Sequence, residues 1–241
     1  IYNKSLLIDN RKEKKTKKQL EEEQLIKDFI TATDNFVVYR PSFRLHTLLA
    51  GYPWFLDWGR DSLISFEGLL LVTKRFDIAK EVLQTLVRDI KFGLVPNGYS
   101  GFDNRPLYNS VDASLLLFEQ IQKYVEYTED YEFVKENLYE KLKDVIENYK
   151  NGIDVDDNNI FLDTDYLIVS GTQNTQNTWM DAKCNNKAVT PRNGKAVEIN
   201  SLWYNANIIM ADLENKIGNK NDAKKYQELA RKCKKAFNEK F

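Results

Sequence analysis

The carboxyl group of Asp181 is the side chain in this sequence best suited to acid–base chemistry. It lies in the segment 174–183, shortly after Trp179. A carboxylic acid beside an indole ring is partly desolvated, and desolvation favours its protonated form. An acid that keeps a proton near neutral pH can protonate the oxygen of a glycosidic bond. The alternative interpretation is an ordinary aspartate in a loop turn, where this residue type is common.

Tryptophan is the second residue type with an unusual distribution. All of the tryptophans lie in long connections or in the first turns of the helices that follow, whereas core tryptophans are expected on helix stripes. Flat rings beside carboxylates and amides suit stacking on the faces of sugars. The same rings are also compatible with packing the loops onto the helices, because tryptophan is usually well buried. The four residues are Trp54, Trp58, Trp179 and Trp203.

Polar residues at the starts of three predicted helices complete the candidate site. Arg60 and Asp61 follow an aromatic segment, although Asp61 is also a plausible N-cap. Asp112 opens the next buried helix, where either a cap or a ligand contact would explain an acid. Glu198 begins a third helix that is otherwise mostly apolar. Polar groups in such a place are costly unless they meet a ligand or a buried partner.

The composition argues against several other kinds of chemistry. With the single histidine His46, which we expect to be structural, a multi-histidine metal site is excluded and a Ser-His-Asp triad has little support. The 35 basic and 36 acidic residues leave no net field to attract nucleic acid or an anionic membrane, and the basic run at 11–18 resembles an exposed helix end. No apolar run approaches the roughly 20 residues of a membrane span. Cys184 and Cys233 lie in unrelated contexts, so we expect no disulfide framework and a reducing, cytoplasmic compartment. We also expect no cofactor and no metal.

Helical periodicity dominates the chain and predicts an all-α fold. Helices with one apolar stripe alternate with helices that are apolar around most of their circumference, so outer and inner helices alternate. The connections from outer to inner helices, at about 34–60, 93–109 and 151–196, are long, and long loops in compact domains are usually functional. In a ring of helical hairpins they would converge at one mouth, above the N-termini of the inner helices. The seven predicted helices span about 14–33, 61–75, 77–92, 110–127, 131–150, 197–216 and 220–240.

Four segments of the chain resemble the C-terminal α-1,6-glucosidase domain of glycogen debranching enzymes. They are, in order, GYPWFLDWGRDSL, YNSVDASL, NTWMDAK and VTPRNGKAVEINSLWYNA, and the resemblance runs from about Ala50 to Phe241. It implies an (α/α)6 barrel, of which the seven helices of residues 1–241 would supply a little over half. Because the chain starts without methionine and stops directly after a helical pattern, we expect a partial domain of a longer protein.

The resemblance also implies a reaction, which is inverting, exo-acting hydrolysis of the single glucose left at an α-1,6 branch of glycogen or another branched α-glucan. It places Asp181 on the family's general acid, and it implies a general base beyond this chain, which alone is then expected to be inactive. The stretch WGRDS further resembles glucoamylases, in which the Arg-Asp pair holds hydroxyls of the terminal glucose. The residues expected to bind substrate are Trp54, Trp58, Arg60, Asp61, Asp112, Trp179, Lys183, Arg192, Glu198, Asn200 and Trp203.

Two other functions stay open at this point. One is a glucoamylase-like or trehalase-like glucosidase, and the other is a carbohydrate-binding helical scaffold without turnover. Arg60 and Asp61 do not separate the hydrolases, whereas the long motif at 189–206 favours debranching. A scaffold would bind sugar in a way that is indifferent to Asp181.

Overall fold

The computed structural model describes residues 16–52, 54–100 and 103–241. By its internal contacts the chain divides into two units, Ile1–Asn35 and Phe36–Phe241. In the first unit, helix α1 spans Lys17–Thr33.

Helix α1 begins with a capping box. The hydroxyl of Thr16 accepts a hydrogen bond from the backbone N–H of Gln19, and the side chain of Gln19 accepts one from the N–H of Thr16. Each side chain thereby satisfies a backbone donor that the helix leaves unpaired. The predicted start of this helix at residue 14, and most of the basic run at 11–18, lie outside the described residues.

The second unit is mostly helical, which confirms the predicted all-α character. Helices α4 and α7 bury residues around much of their circumference, whereas α6 buries one stripe and α8 buries three small residues. Helix α7 packs against both α4 and α8. The alternation of inner and outer helices therefore agrees with the apolar periodicity. The helices are α2 (Gly59–Phe66), α3 (Phe76–Arg88), α4 (Ala113–Thr128), α5 (Tyr131–Asn137), α6 (Tyr139–Asn151), α7 (Val197–Ile217) and α8 (Lys220–Lys240).

Two of the predicted helices differ in detail from the observed ones. The predicted helix at 131–150 is two helices, α5 and α6, which meet at Leu138, where φ is −120°. The side chain of Asn137 donates to the carbonyl of Phe133 at 3.0 Å and so competes with the backbone ladder. Helix α2 continues into a wide π-helical turn over Glu67–Leu71.

The long connections contain short antiparallel hairpins, which the sequence did not predict. The longest pairs Val37 with Leu48 and Arg40 with Leu45, and the other strands have two residues each. Strands of two residues are too short to show a period-two pattern. The pairs are β1 (Val37–Arg40) with β2 (Leu45–Leu48), β3 (Gly98–Tyr99) with β4 (Pro106–Leu107), β5 (Phe161–Leu162) with β6 (Ile168–Val169), and β7 (Lys183–Cys184) with β8 (Lys187–Ala188).

Candidate active site

The side chain of Arg60 connects the starts of helices α2 and α4 with the longest connection of the second unit. Its Nε donates a hydrogen bond to Oδ2 of Asp112 at 2.7 Å, and its Nη1 donates to Oδ2 of Asp181 at 2.9 Å. Arg60 lies in the first turn of α2, Asp112 directly precedes α4, and Asp181 lies in the longest connection. One guanidinium therefore bridges two carboxylates that are distant in the sequence.

A close backbone contact fixes the start of α2 and, with it, the position of Arg60. The N–H of Gly59 donates to the carbonyl of Asn97 at 3.0 Å. A Cβ at Gly59 would lie 2.4 Å from the carbonyl oxygen of Pro96, so glycine is required here. The residue at the N-cap position is Trp58, whose ring lies over Gly98.

Asp61 is not the N-cap of α2, because the helix already begins at Gly59. Its carboxylate is exposed, and it has no side-chain partner within the described residues. A negative charge in the first turn of a helix is favourable there, because it faces the positive end of the helix dipole. Asp61 is therefore free to accept hydrogen bonds from a ligand.

At the start of α4, Ser110 is the capping residue and Asp112 has another role. The hydroxyl of Ser110 accepts from the N–H of Ala113 at 3.2 Å and donates to Oδ1 of Asp112. Asp112 is 3% exposed and makes no capping hydrogen bond of its own. The capping alternative is therefore wrong for Asp112, whose two oxygens are shared between Ser110 and Arg60.

Buried amides hold the connection that carries Asp181 against the start of α4. The carbonyl of Asn177 accepts from the N–H of Val111 at 2.8 Å, and its Nδ2 donates to the carbonyl of Asn158 at 3.2 Å. Both asparagines are almost completely buried. These bonds fix the chain shortly before Asp181 and bring that carboxylate within reach of Arg60.

The Arg60–Asp181 pair lies in an open cleft of about 540 Å³. A volume of this size falls in the range of small-molecule sites. The ring of Trp179 is 55% exposed, so a flat apolar surface adjoins the charged groups. The residues that line the cleft are Ala50, Phe55, Trp58, Arg60, Asp61, Ile64, Trp179 and Asp181.

Electrostatics keep Arg60 charged in this cleft. Burial disfavours its charged form, but the hydrogen bonds and negative charges of Asp112 and Asp181 outweigh burial, so the pKa of Arg60 lies above its ordinary value. The side chain of Asp181 is 44% exposed, so its carboxyl group is partly removed from water in the structure without a ligand.

Trp54 and Lys183 do not line this cleft. Trp54 is 83% exposed in the turn that Phe55 closes onto Gly51, on the same loop as the cleft residue Trp58. Lys183 is exposed in β7 and lines a separate polar crevice of about 250 Å³. Its neighbours there include Leu107, Asn109, Asp156, Asn158, Thr175, Gln176 and Asn177.

Arg192 and Glu198 bind each other instead of the cleft. The two side chains form a two-pronged ion pair, with Nη2 of Arg192 at 2.6 Å from Oε2 of Glu198 and a second contact between Nη1 and Oε1. The pair holds the connection before α7 onto the first turn of that helix. Each partner satisfies the other, so Glu198 has a partner within the chain, which is the second of the two possibilities that the sequence left open.

Asn200 and Trp203 do not line the cleft, since both are completely buried. The side chain of Asn200 accepts from the N–H of Ile168 at 2.6 Å and donates to its carbonyl at 3.1 Å, which fastens β6 to α7. The ring of Trp203 stacks on Tyr149 with centroids 6.1 Å apart and an angle of 13° between the planes. Both residues point from α7 into the core.

The sequence-based prediction missed three residues that line the cleft, which are Ala50, Phe55 and Ile64. Phe55 belongs to the aromatic segment before α2, and Ile64 lies one helical turn after Arg60. Side chains at i and i+4 share a helix face, so the spacing from Arg60 to Ile64 was the available signal.

Within the described residues, no group of three or more histidine, cysteine or acidic side chains is arranged to hold a metal ion.

Two comparisons with known proteins point to the same family. A family model described as amylo-alpha-1,6-glucosidase matches residues 31–241. The glycogen debranching enzyme of Saccharomyces cerevisiae is 27% identical over 232 residues, an alignment that covers 73% of this chain and 15% of the yeast enzyme. The chain thus spans only a small part of the length of that relative. No helix in the described part of the chain is long and apolar enough to cross a membrane.

Proposed function

Because the chain belongs to the amylo-alpha-1,6-glucosidase family, we propose that its cleft binds the terminal glucose at an α-1,6 branch of glycogen or a related α-glucan. In this proposal Asp181 donates the proton to the glycosidic oxygen, and the reaction is exo-acting with inversion. The observation that carries the proposal is the position of Asp181 in the open cleft, held by Arg60 and flanked by the exposed ring of Trp179. We also propose that the helices follow the (α/α)6 arrangement of hairpins.

The lining of the cleft supports a sugar ligand. A pyranose ring has apolar faces that stack on aromatic rings and an edge of hydroxyls that needs charged or amide partners. The exposed ring of Trp179 supplies the first kind of surface, and the exposed carboxylate of Asp61 supplies the second. Trp58, which is half-buried, also lines the cleft.

The exposure of Asp181 is compatible with general acid catalysis if the substrate itself removes the water. A sugar placed against Trp179 would cover the carboxyl group, and the loss of water would favour its protonated form. Inversion also needs a carboxylate that activates water, about 6.5–9.5 Å from the acid. We assign that second role to no described residue.

The direct test replaces Asp181 with asparagine in the full gene product that contains this chain. Asp181→Asn should lower glucose release from a branched dextrin at least about 10³-fold, because general acid catalysis of a poor leaving group contributes on that scale. Binding of the dextrin should change little. Asp156→Asn is the matched control, because Asp156 is an exposed loop aspartate that does not line the cleft. Retention of more than a tenth of the activity by Asp181→Asn would exclude Asp181 as the acid.

The stereochemistry of the product gives an independent test. Proton NMR during early turnover should show β-glucose before α-glucose, since inversion of an α-linkage produces the β-anomer. If α-glucose appears first, the reaction retains configuration and uses two carboxyl groups only about 5 Å apart.

A carbohydrate-binding scaffold is the second candidate function, and the exposed ring of Trp179 beside Asp61 favours it, because these groups offer a sugar a stacking surface and a hydrogen-bond acceptor without any reaction at Asp181. Dextrin binding without glucose release by the full gene product, unchanged in Asp181→Asn, would support the scaffold. A panel of α-1,6-linked, α-1,4-linked and trehalose substrates separates debranching from glucoamylase-like or trehalase-like hydrolysis.

A further inference from the structure

The guanidinium of Arg60 is oriented by its buried partner and not by the cleft. A guanidinium is planar, with five N–H donors in a rigid fork, so one fixed contact determines where the others point. Asp112, with a side chain that is 5% exposed, binds Nε, and Ser110 holds the other oxygen of that carboxylate. Nη2 is buried without a partner in the described part of the chain. Nη1 is therefore left to bind Asp181.

The side chain of Asp181 has little else to hold it in place, whereas the neighbouring backbone is held at Asn177 and at Ala182, whose carbonyl accepts from the N–H of Val189 at 3.0 Å. Among the described residues, the segment 178–183 makes one side-chain hydrogen bond, which is the bond from Arg60 to Asp181. The hydroxyl of Thr178 is buried without a partner, and Trp179 is half-exposed. The Arg60 contact is thus the polar side-chain restraint on the carboxylate of Asp181.

We propose that Asp112 is a positioning residue for Asp181 and acts through Arg60. Asp112 fixes the plane of the guanidinium, and the guanidinium fixes the carboxylate at the edge of the cleft. The proposal rests on the proposed role of Asp181 as the acid, because positioning matters only if that carboxylate reacts. It differs from the role that the resemblance to glucoamylases implied for Arg60, in which the arginine holds hydroxyls of the sugar.

The arrangement goes beyond the neutralisation of one buried charge. A buried Arg–Asp pair satisfies its own charges and has no need of a second carboxylate. Here the arginine reaches past Asp112 to a half-exposed acid on another connection, 121 residues away in the sequence. A displacement of the acid by about 1 Å can cost about 10²-fold in rate.

The test compares single and double variants of the full gene product. Asp112→Asn keeps the size of the side chain and removes its charge, and it should lower kcat about 10- to 100-fold with KM changed less than about twofold. The double variant Asp112→Asn with Asp181→Asn should be no slower than Asp181→Asn alone, because residues that act as a unit are not additive. Asp130→Asn is the control, because Asp130 pairs with Lys80 and caps α5, away from the cleft. Asp130→Asn should leave kcat unchanged.

A second measurement, independent of turnover, uses NMR relaxation of backbone amides. In Asp112→Asn, the order parameters of the Met180 and Asp181 amides should fall below about 0.6, whereas that of Asn177, which its own buried bonds hold, should stay near about 0.85. Unchanged order at Met180 and Asp181 would overturn the proposal, and so would multiplicative loss of kcat in the double variant. If the wild-type protein releases no glucose, the proposed function fails, and the order parameters alone decide whether Asp112 positions Asp181.

Discussion

Replacement of Asn200 by alanine separates the structural role of this side chain from the substrate-binding role that the sequence predicted. The side chain is completely buried and makes hydrogen bonds of 2.6 and 3.1 Å with the N–H and carbonyl of Ile168, and one of 3.0 Å with the carbonyl of Ala196. The carbonyl of Ala196 keeps a second partner, the N–H of Asn200 itself. The substitution by alanine therefore removes the hydrogen-bond partners of two backbone groups, the N–H and the carbonyl of the buried Ile168.

The expected cost follows from those two groups. Each buried backbone donor or acceptor that loses its partner costs about 1–3 kcal/mol, so Asn200→Ala should destabilise the protein by about 2–6 kcal/mol. Asn205→Ala is the matched control, because Asn205 lies on the same helix, is half-buried, and has no side-chain hydrogen bond within the described residues. A surface substitution of that kind should change the stability by less than about 0.5 kcal/mol.

Urea unfolding followed by circular dichroism measures both variants. The midpoint of Asn200→Ala should fall well below that of the wild type, while Asn205→Ala should unfold with it. Dextrin affinity, measured where each variant is folded, should be the same for both. A variant Asn200→Ala that keeps its stability but loses dextrin affinity would refute the structural assignment and restore the role predicted from the sequence.

Two further predictions follow from close packing and from burial. Gly59→Ala should destabilise the protein by about 2–4 kcal/mol, because its Cβ would overlap a backbone carbonyl oxygen, whereas Gly68→Ala, with no atom within 4 Å of its Cβ, should stay within about 1 kcal/mol of wild type in urea unfolding. Equal midpoints for the two variants would show that the contact at Gly59 yields without cost. Burial, and after it the charge of Asp165, raise the pKa of the Cys233 thiol to about 12, so iodoacetamide at pH 8 should label the exposed Cys184 alone. Mass spectrometry of the native protein checks this, and comparable labelling of Cys233 would contradict the burial of α8 against α7.

Local periodicity predicted α3, α4 and α7 well, because each of these helices buries a stripe whose spacing is visible in a short window. Helix α7 was predicted at 197–216 and spans Val197–Ile217. The same spacing also indicates that Trp203 is buried, because it follows Ile199 by four residues on a buried stripe of α7. The prediction instead grouped Trp203 with the loop tryptophans, because it lies near the start of the helix.

The composition of the cleft was predicted more fully than its geometry. The residue types of Arg60, Asp112 and Asp181 each drew attention separately, but the contacts among them span 52 and 121 residues and leave no periodic trace in the sequence. The roles of Ser110 and Asn177 depend on those long-range contacts and were equally invisible. Alternatives that turn on capping, as at Asp61, were decided only by the observed start of the helix.

The wide turn at Glu67–Leu71 closes the helical segment that α2 begins, with Arg60 in the first turn of the segment and the buried Leu70 in its last. The N–H of Val72 donates to the carbonyl of Glu67 at 2.9 Å, five residues back, so the turn accommodates one residue more than a regular α-helix would. Because the turn already holds one extra residue, deleting one residue there would let it close as a regular α-helical turn, and Arg60 would keep nearly its present direction. The turn thus takes up one residue of chain length between the cleft and α3, and the loss of one residue at this point should leave the direction of Arg60 unchanged.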